Sequence, residues 1–286
     1  MKLAVITYGD AGYFEDSRNL PYVALESFRR EFEGAADYYC VSTQDSIPAK
    51  ASKLGFHYEK VDLPKIYSED SYEHCNGSWS VRYPTEIYLF SVIPQHFKTL
   101  GYDYVLIVDG DTFCNNEFSL DFLDDTHCIY GVQEPIPETL ALNTGVVFYN
   151  TAVCEQLNFS KLCAEMYGDK DVPYTADQPF INTLIGRHKL PIKFISYWHN
   201  FLFLNKKAYN RHKVRENLGF DPLKASVDDI IIGHFIQNQT QPSHTIVKSG
   251  RLVKEKNKDH KRNYPARNDL LAKWKILCND IEKQFI

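Results

Sequence analysis

The chain has no excess of basic residues. Its 32 Lys and Arg fall short of its 37 Asp and Glu, a formal net charge of −5. A nucleic-acid-binding protein usually carries the opposite balance, so that class is set aside. No apolar run approaches the roughly 18 residues needed to span a bilayer. No C-x-x-C spacing occurs among the seven cysteines, Cys40, Cys75, Cys114, Cys128, Cys154, Cys163 and Cys278. That odd, scattered set argues against a disulfide framework or a zinc ribbon, and predicts reduced core thiols in a reducing compartment. The opening MKLAVITYGD has no charged segment followed by a longer apolar stretch and a small-residue cleavage site. It predicts a strand rather than a secretory leader, so the expected location is cytoplasmic. The N-x-S/T sequons at Asn76, Asn158 and Asn238 then read as chance matches. Internal repeats and low-complexity linkers are also missing.

What is present is an α/β alternation. With 286 residues and 44% hydrophobic residues, the chain can bury a sizeable core. Strands are expected at Lys2–Tyr8, Tyr38–Ser42, His57–Val61, Tyr104–Val108, Cys128–Val132, Gly145–Tyr149 and Ile192–Ile195. Several are too uniformly apolar to have one face in water, which suits a sheet covered on both sides. Helices are expected over Tyr22–Phe32, Arg82–Phe97, Ala176–Gly186 and Asp269–Phe285, with Pro21 and Pro94 as punctuation. The pattern predicts one domain around a mixed, mostly parallel sheet. We expect it to occupy residues 1–247. Residues 248–286 differ, being a basic stretch from Lys248 to Arg267 and then a helix. Leu270, Trp274, Leu277, Ile281 and Phe285 form one apolar stripe on that helix. The stripe either packs back on the domain or serves a partner or a membrane surface, the basic stretch favouring peripheral membrane contact.

The sharpest feature is YVLIVDGDTF, where an apolar strand ends in Asp109-Gly110-Asp111. Alternate residues of a strand share a face. The two carboxylates can therefore converge at the C-terminal edge of the sheet, where α/β folds bind ligands. At about 5 Å apart they would repel by roughly 3 kcal/mol at an effective dielectric of 20. A divalent cation, a basic side chain or a shared proton has to offset that. Gly110 is expected to let a ligand approach the backbone. Two chemistries fit. One is a haloacid-dehalogenase-type phosphatase, with Asp109 as nucleophile, Mg²⁺ as cofactor, and Lys224 and Asp228-Asp229 as later elements. The other is a sugar-nucleotide transferase whose acidic pair holds a metal. The phosphatase nucleophile strand normally opens its domain, whereas over 100 residues precede this one.

The rest of the chain favours the transferase. VRYPTEIYLF (Val81–Phe90) lies upstream, and LNTGVVFYN (Leu142–Asn150), ADQPFIN (Ala176–Asn182) and IIGHF (Ile231–Phe235) follow in order. This set resembles the retaining, GT-A fold glycosyltransferases of family 8, which include glycogenins and bacterial lipopolysaccharide galactosyl- and glucosyltransferases. The resemblance runs from Met1 to about residue 240. It implies that Asp109, Asp111 and His234 ligate Mn²⁺ or Mg²⁺, the imidazole tilting the choice to Mn²⁺. Asn143, Thr144 and Gly145 match the family's F-N-S/A-G element, whose asparagine binds donor-sugar hydroxyls. Asp177 and Gln178 match the residues that bind the donor sugar and lie beside the reacting carbon. Arg82 and the strand end Thr7-Tyr8 match the nucleotide-binding positions, with Tyr8, Tyr13 and Tyr22 all open as the residue facing the base. Pro179, Gln237 and Thr240 depart from the pattern. Thr240 stands where the family has its phosphate-binding lysine, a place that Lys248 is the candidate to fill.

The resemblance therefore implies a metal-dependent transferase. It would move a hexose (glucose, galactose or N-acetylglucosamine) from a UDP-sugar to an acceptor hydroxyl on a glycan, lipid-linked or protein-linked acceptor, with retention of configuration. A catalytically weak sugar-nucleotide-binding relative is the alternative.

Overall fold

The computed structural model describes residues 1–15, 19–32, 34–46, 48–67, 85–135, 141–169, 177–204, 214–235, 247–248, 251–252 and 265–285, the two short pairs by their backbone alone. Seven strands build the main sheet: β1 (Leu3–Tyr8), β2 (Ala36–Ser42), β3 (His57–Lys60), β4 (Tyr104–Val108), β6 (Ile129–Gln133), β7 (Leu142–Asn150) and β8 (Ile192–Phe194). Their order is β3-β2-β1-β4-β7-β6-β8. Only β7 runs against its neighbours, β4 and β6; the other pairs are parallel. Each of these strands overlaps one expected from the sequence.

Period-two alternation explains why these strands read as unbroken apolar runs. Leu3, Val5, Leu106, Val108, Val146 and Phe148 enter one buried cluster. Ala4, Ile6, Val105, Ile107, Val147 and Tyr149 enter the other, on the opposite face. Nine helices are described: α1 (Ala11–Phe14), α2 (Leu20–Glu31), α3 (Ala49–Lys53), α4 (Ile93–Thr99), α5 (Thr151–Gln156), α6 (Phe159–Tyr167), α7 (Asp177–His188), α8 (Val214–Leu218) and α9 (Pro265–Lys283). Residues of α2 and α9 contribute to the first cluster, and residues of α4, α5, α6 and α7 to the second.

The expected helix Arg82–Phe97 is not a single helix. Thr85–Ser91 forms a 3₁₀ turn, and α4 begins afresh at Ile93 with Pro94 in its first turn. A proline inside a continuous helix would lose a backbone hydrogen bond and clash with the preceding turn, whereas at a helix start neither penalty applies. Pro94 therefore opens the second helix instead of closing the first.

The C-terminal helix α9 lies against α2. Its stripe residues Leu270, Trp274, Leu277 and Ile281 are buried and Phe285 packs partly against the same core. The face that would have met a membrane surface is thus covered by the protein's own core. Most of the basic stretch, residues 249–250 and 253–264, lies outside the described residues. Among the described residues, no helix is long and apolar enough to cross a membrane. All six described cysteines are buried and form no disulfide with one another, as expected of core thiols; Cys75 lies outside the described residues.

A second, three-stranded sheet was not anticipated. It comprises β5 (Thr112–Cys114), β9 (Phe201–Leu202) and β10 (Ile232–His234), in the order β5-β10-β9. A two-residue hairpin, β11 (Val247–Lys248) with β12 (Arg251–Leu252), completes the strands.

Candidate active site

The site starts where β4 stops. Asp109 N–H still donates to Gly145 O of β7 at 2.9 Å, and then the chain turns. Thr112 closes the turn: its N–H and its Oγ1 both donate to Asp109 O, at 3.1 and 2.7 Å. Asp109 and Asp111 thus converge through a turn rather than through the extended alternation expected from the sequence.

Leaving the turn, β5 pairs antiparallel with β10, and the register sets Thr112 opposite His234. Phe235 N–H donates to Asp111 O at 2.9 Å. This pairing carries His234 to the acidic turn. Its Nε2 lies 3.2 Å from Asp111 Oδ1 and 3.6 Å from Asp109 Oδ2. Among the described residues, these three are the group of metal-type ligands that converges.

The donor set fits a divalent cation. Both spacings fall inside the ~4 Å that one ion with bonds of roughly 2 Å can bridge. Two carboxylate oxygens and an imidazole suit Mn²⁺ or Mg²⁺, and the nitrogen favours Mn²⁺. Electrostatics agree. Burial raises the Asp109 carboxyl, His234 counters that, and Asp111 and Asp177 push it up again. The Asp109 side chain is 46% exposed, which tempers the burial effect without reversing the direction. For His234, burial alone would lower the imidazole, but Asp111 and Asp109 outweigh it and raise it. A cation in the turn relieves this frustration.

Two glycines give way to side chains here. A Cβ on Gly145 would sit 2.1 Å from His234 Cε1, so only glycine lets the ring lie against β7. A Cβ on Gly110 would meet the Tyr13 hydroxyl and, at 3.2 Å, Leu20 Cβ. The space expected for a ligand at Gly110 is therefore filled by Tyr13. The three tyrosines that the sequence left open lie in different surroundings. Tyr13 shares a 2.9 Å hydrogen bond with the buried Thr7 hydroxyl, and Tyr22 is wholly buried in the core. Tyr8 donates to Ile87 O at 3.3 Å, and burial together with Asp177 and Asp109 raises its phenol, which places it beside the acidic cluster.

The remaining expected residues lie on β7 and α7. Gln178 Oε1 accepts from Thr144 N–H at 3.2 Å and from Asn143 Nδ2 at 3.1 Å. Asp177 opens α7 and is engaged by the Gln178 amide and the Thr144 hydroxyl, while burial raises its carboxyl. Asn182 bonds both backbone groups of Leu142, at 2.7 and 2.8 Å, which fixes α7 to β7. Asn143 Nδ2 donates to Glu134 and Gln178, and its Oδ1 accepts from Gly145 N–H and Asn200 Nδ2. Its hydrogen-bonding capacity is thus taken up by protein. Arg82 and the side chain of Lys248 lie outside the described residues.

Two residues, Glu134 and Asn200, escaped the sequence reading, and Tyr13 entered it only as a candidate to face the base. Glu134 Oε1 accepts from Gln178 Nε2 at 2.8 Å, Asn200 Oδ1 meets His234 Nδ1 at 3.1 Å, and Tyr13 fills the turn. Asn200 precedes a two-residue strand with no periodicity, and Glu134 follows β6 with no motif around it. By contrast, the phosphatase elements fall away. Asp228, Asp229 and Lys224 are exposed, and Asp229 is half of a capping box with Ser226.

No family model and no curated protein matches the chain. Solved structures do. The glycosyltransferase GlyE of Streptococcus pneumoniae TIGR4 is similar with a TM-score of 0.60 and 17% identity, over 97% of this chain and 63% of GlyE. The chain thus spans less than two thirds of GlyE's length. The galactosyltransferase LgtC, in complex with donor and acceptor sugar analogues, is similar with a TM-score of 0.59 and 14% identity, over 98% of this chain and 96% of LgtC. Mouse xyloside xylosyltransferase 1 gives 0.57 and 13%, over 85% of this chain and all of the other. These likenesses define the fold: the chain has the GT-A architecture of glycosyltransferases, as its sequence resemblance implies. Function has to come from the site.

Proposed function

We propose that the protein is a metal-dependent glycosyltransferase that moves a hexose from a UDP-sugar to a hydroxyl of a carbohydrate-bearing acceptor, with retention of configuration. The observation that carries this reading is the convergence of Asp109, Asp111 and His234 beside Asp177 and Gln178, at the C-terminal edge of β4. When bound there, a divalent cation supplies Lewis-acid neutralisation of the diphosphate as the glycosidic bond breaks.

The chain's own residues do the rest. The end of β1, with Thr7 and Tyr8, lies beside the acidic cluster and is the proposed nucleotide-binding position. Asp177, its carboxyl held by Thr144 and the α7 amides, faces the sugar hydroxyls. Gln178 lies beside the reacting carbon. Its amide is pinned by Glu134 and Thr144 and is a poor nucleophile. A same-face attack by the acceptor hydroxyl, with the leaving phosphate taking its proton, therefore fits better than a covalent intermediate.

The test is UDP release across a panel of UDP-sugars, with and without Mn²⁺. The proposal expects one hexose donor to turn over with Mn²⁺, and no turnover in excess chelator. Equal turnover in chelator would contradict it. A catalytically weak sugar-nucleotide binder is the second reading, favoured by Thr240 where the related lysine would stand. That protein would bind UDP with Mn²⁺ yet release none from any donor.

A further inference from the structure

Metal ligands are fixed by the groups behind them, and a histidine ligand most of all, because its two nitrogens exchange roles. Behind His234 runs a chain of side chains whose hydrogen-bond senses are all forced. Glu134 is a carboxylate and accepts only. Gln178 therefore turns its Nε2 to Glu134 Oε1 (2.8 Å), and Asn143 turns its Nδ2 there too (3.1 Å). Backbone N–H groups can only donate, and they fix the same senses from the other side. Thr144 N–H reaches Gln178 Oε1 at 3.2 Å, and Gly145 N–H reaches Asn143 Oδ1 at 3.1 Å. Asn143 thus offers oxygen to Asn200, which must answer with Nδ2, at 2.7 Å. What Asn200 has left for His234 is Oδ1, at 3.1 Å from Nδ1. An oxygen there requires Nδ1 to carry the proton.

We propose that Asn200, and through the amide chain Glu134, are positioning residues that hold His234 protonated on Nδ1 and so aim the Nε2 lone pair at Asp109 and Asp111. The arrangement rests on the metal-site reading above. It has a consequence that reading lacks. Gln178, placed beside the reacting carbon in the proposed function, and Asn143 belong to the same chain as His234, so disturbing one end loosens the other. Strand register explains how Asn200 arrives. It precedes β9, which pairs parallel with β10 so that Phe201 faces Gly233 and Leu202 faces His234.

The experiment is a double-mutant cycle on Mn²⁺ affinity, read by electron paramagnetic resonance in the absence of nucleotide and independent of turnover. Asn200→Ala is expected to weaken Mn²⁺ binding about 10- to 100-fold, the scale of lost outer-shell partners. Glu134→Gln, at a half-buried position where folding is secure, is expected to weaken it several-fold. It replaces the carboxylate that accepts from both amides with a group that can turn a donor to them, which loosens the hold on Gln178 Nε2 and Asn143 Nδ2. The cycle separates relay from simple charge loss. A relay predicts that Glu134→Gln has no further effect once Asn200 is Ala, whereas a through-space charge effect adds in full. Full additivity, or an Asn200→Ala protein that folds and binds Mn²⁺ within twofold of wild type, would overturn the proposal. Should Asn200→Ala not fold, Asn200→Ser takes its place in the same cycle. A wild-type protein that binds no Mn²⁺ would overturn the metal site itself, a distinguishable failure.

Discussion

The two sheets differ in almost every respect. The seven-stranded sheet is long, apolar and mostly parallel, and its strands carry the fold. The three-stranded sheet has strands of two or three residues drawn from three separate parts of the chain. Yet His234, the third proposed metal ligand, is on the small sheet, and Asn200, which meets its Nδ1, comes just before β9. The large sheet delivers two acids to an edge. The small one brings the imidazole to that edge. Substitutions can therefore test the two contributions separately.

Asp111→Asn breaks the function end hardest. It is expected to reduce Mn²⁺-dependent turnover by more than ~100-fold, beyond the 10- to 100-fold typical of outer-shell losses. The thermal midpoint of the metal-free protein should change little, because relief of the carboxylate repulsion is offset by a weaker contact with His234. Activity assays and a melting curve check both halves. Ile129→Ala does the converse. Ile129 is fully buried in β6 of the large sheet. Its loss is expected to cost ~2–5 kcal/mol in denaturant unfolding. Mn²⁺ affinity of the folded fraction should stay within twofold.

Two glycines, Gly145 of β7 and Gly233 of β10, test how β10 packs against its neighbours. Gly145→Ala places a Cβ 2.1 Å from the His234 ring, and Gly233→Ala places one 2.2 Å from Leu270 Cδ2 of α9. Each is expected to cost ~1–3 kcal/mol from overpacking. Only Gly145→Ala should weaken Mn²⁺ binding strongly. The Gly233 defect should be partly rescued by Leu270→Ala, which frees the space behind β10.

The smallest effect is a pH dependence. Asp109 and His234 both bind protons more readily in the folded, metal-free protein than when unfolded. The folded state therefore holds more protons in that window, and metal-free stability falls as pH rises from the unfolded carboxylate range through the raised folded pKa values. A metal competes with those protons. The rise in melting temperature on adding Mn²⁺ should grow as pH increases, and a rise independent of pH would contradict this assignment.

Legibility divides along the same line. Every strand of the large sheet was readable, the central ones because burial on both faces leaves an apolar run in the sequence, whereas the edge strands β3 and β8 are partly exposed. His234 was readable only through resemblance, since GHF follows a run too short to announce a strand. β5 and β9 carry no usable periodicity, and neither Asn200 nor Glu134 sits in a motif. Their role depends on register, which local sequence does not encode. Pro94 was misplaced because a helix start and a helix end can carry the same residue. The acidic pair was found for a partly different reason: the turn closed by Thr112, not extended alternation, brings Asp109 and Asp111 together.

The most direct test of the central claim is calorimetric titration of UDP into the protein with and without Mn²⁺. The metal-bridged site predicts UDP binding in Mn²⁺ that disappears in excess chelator and in Asp111→Asn. Equal UDP affinity with Mn²⁺ and with chelator would contradict it.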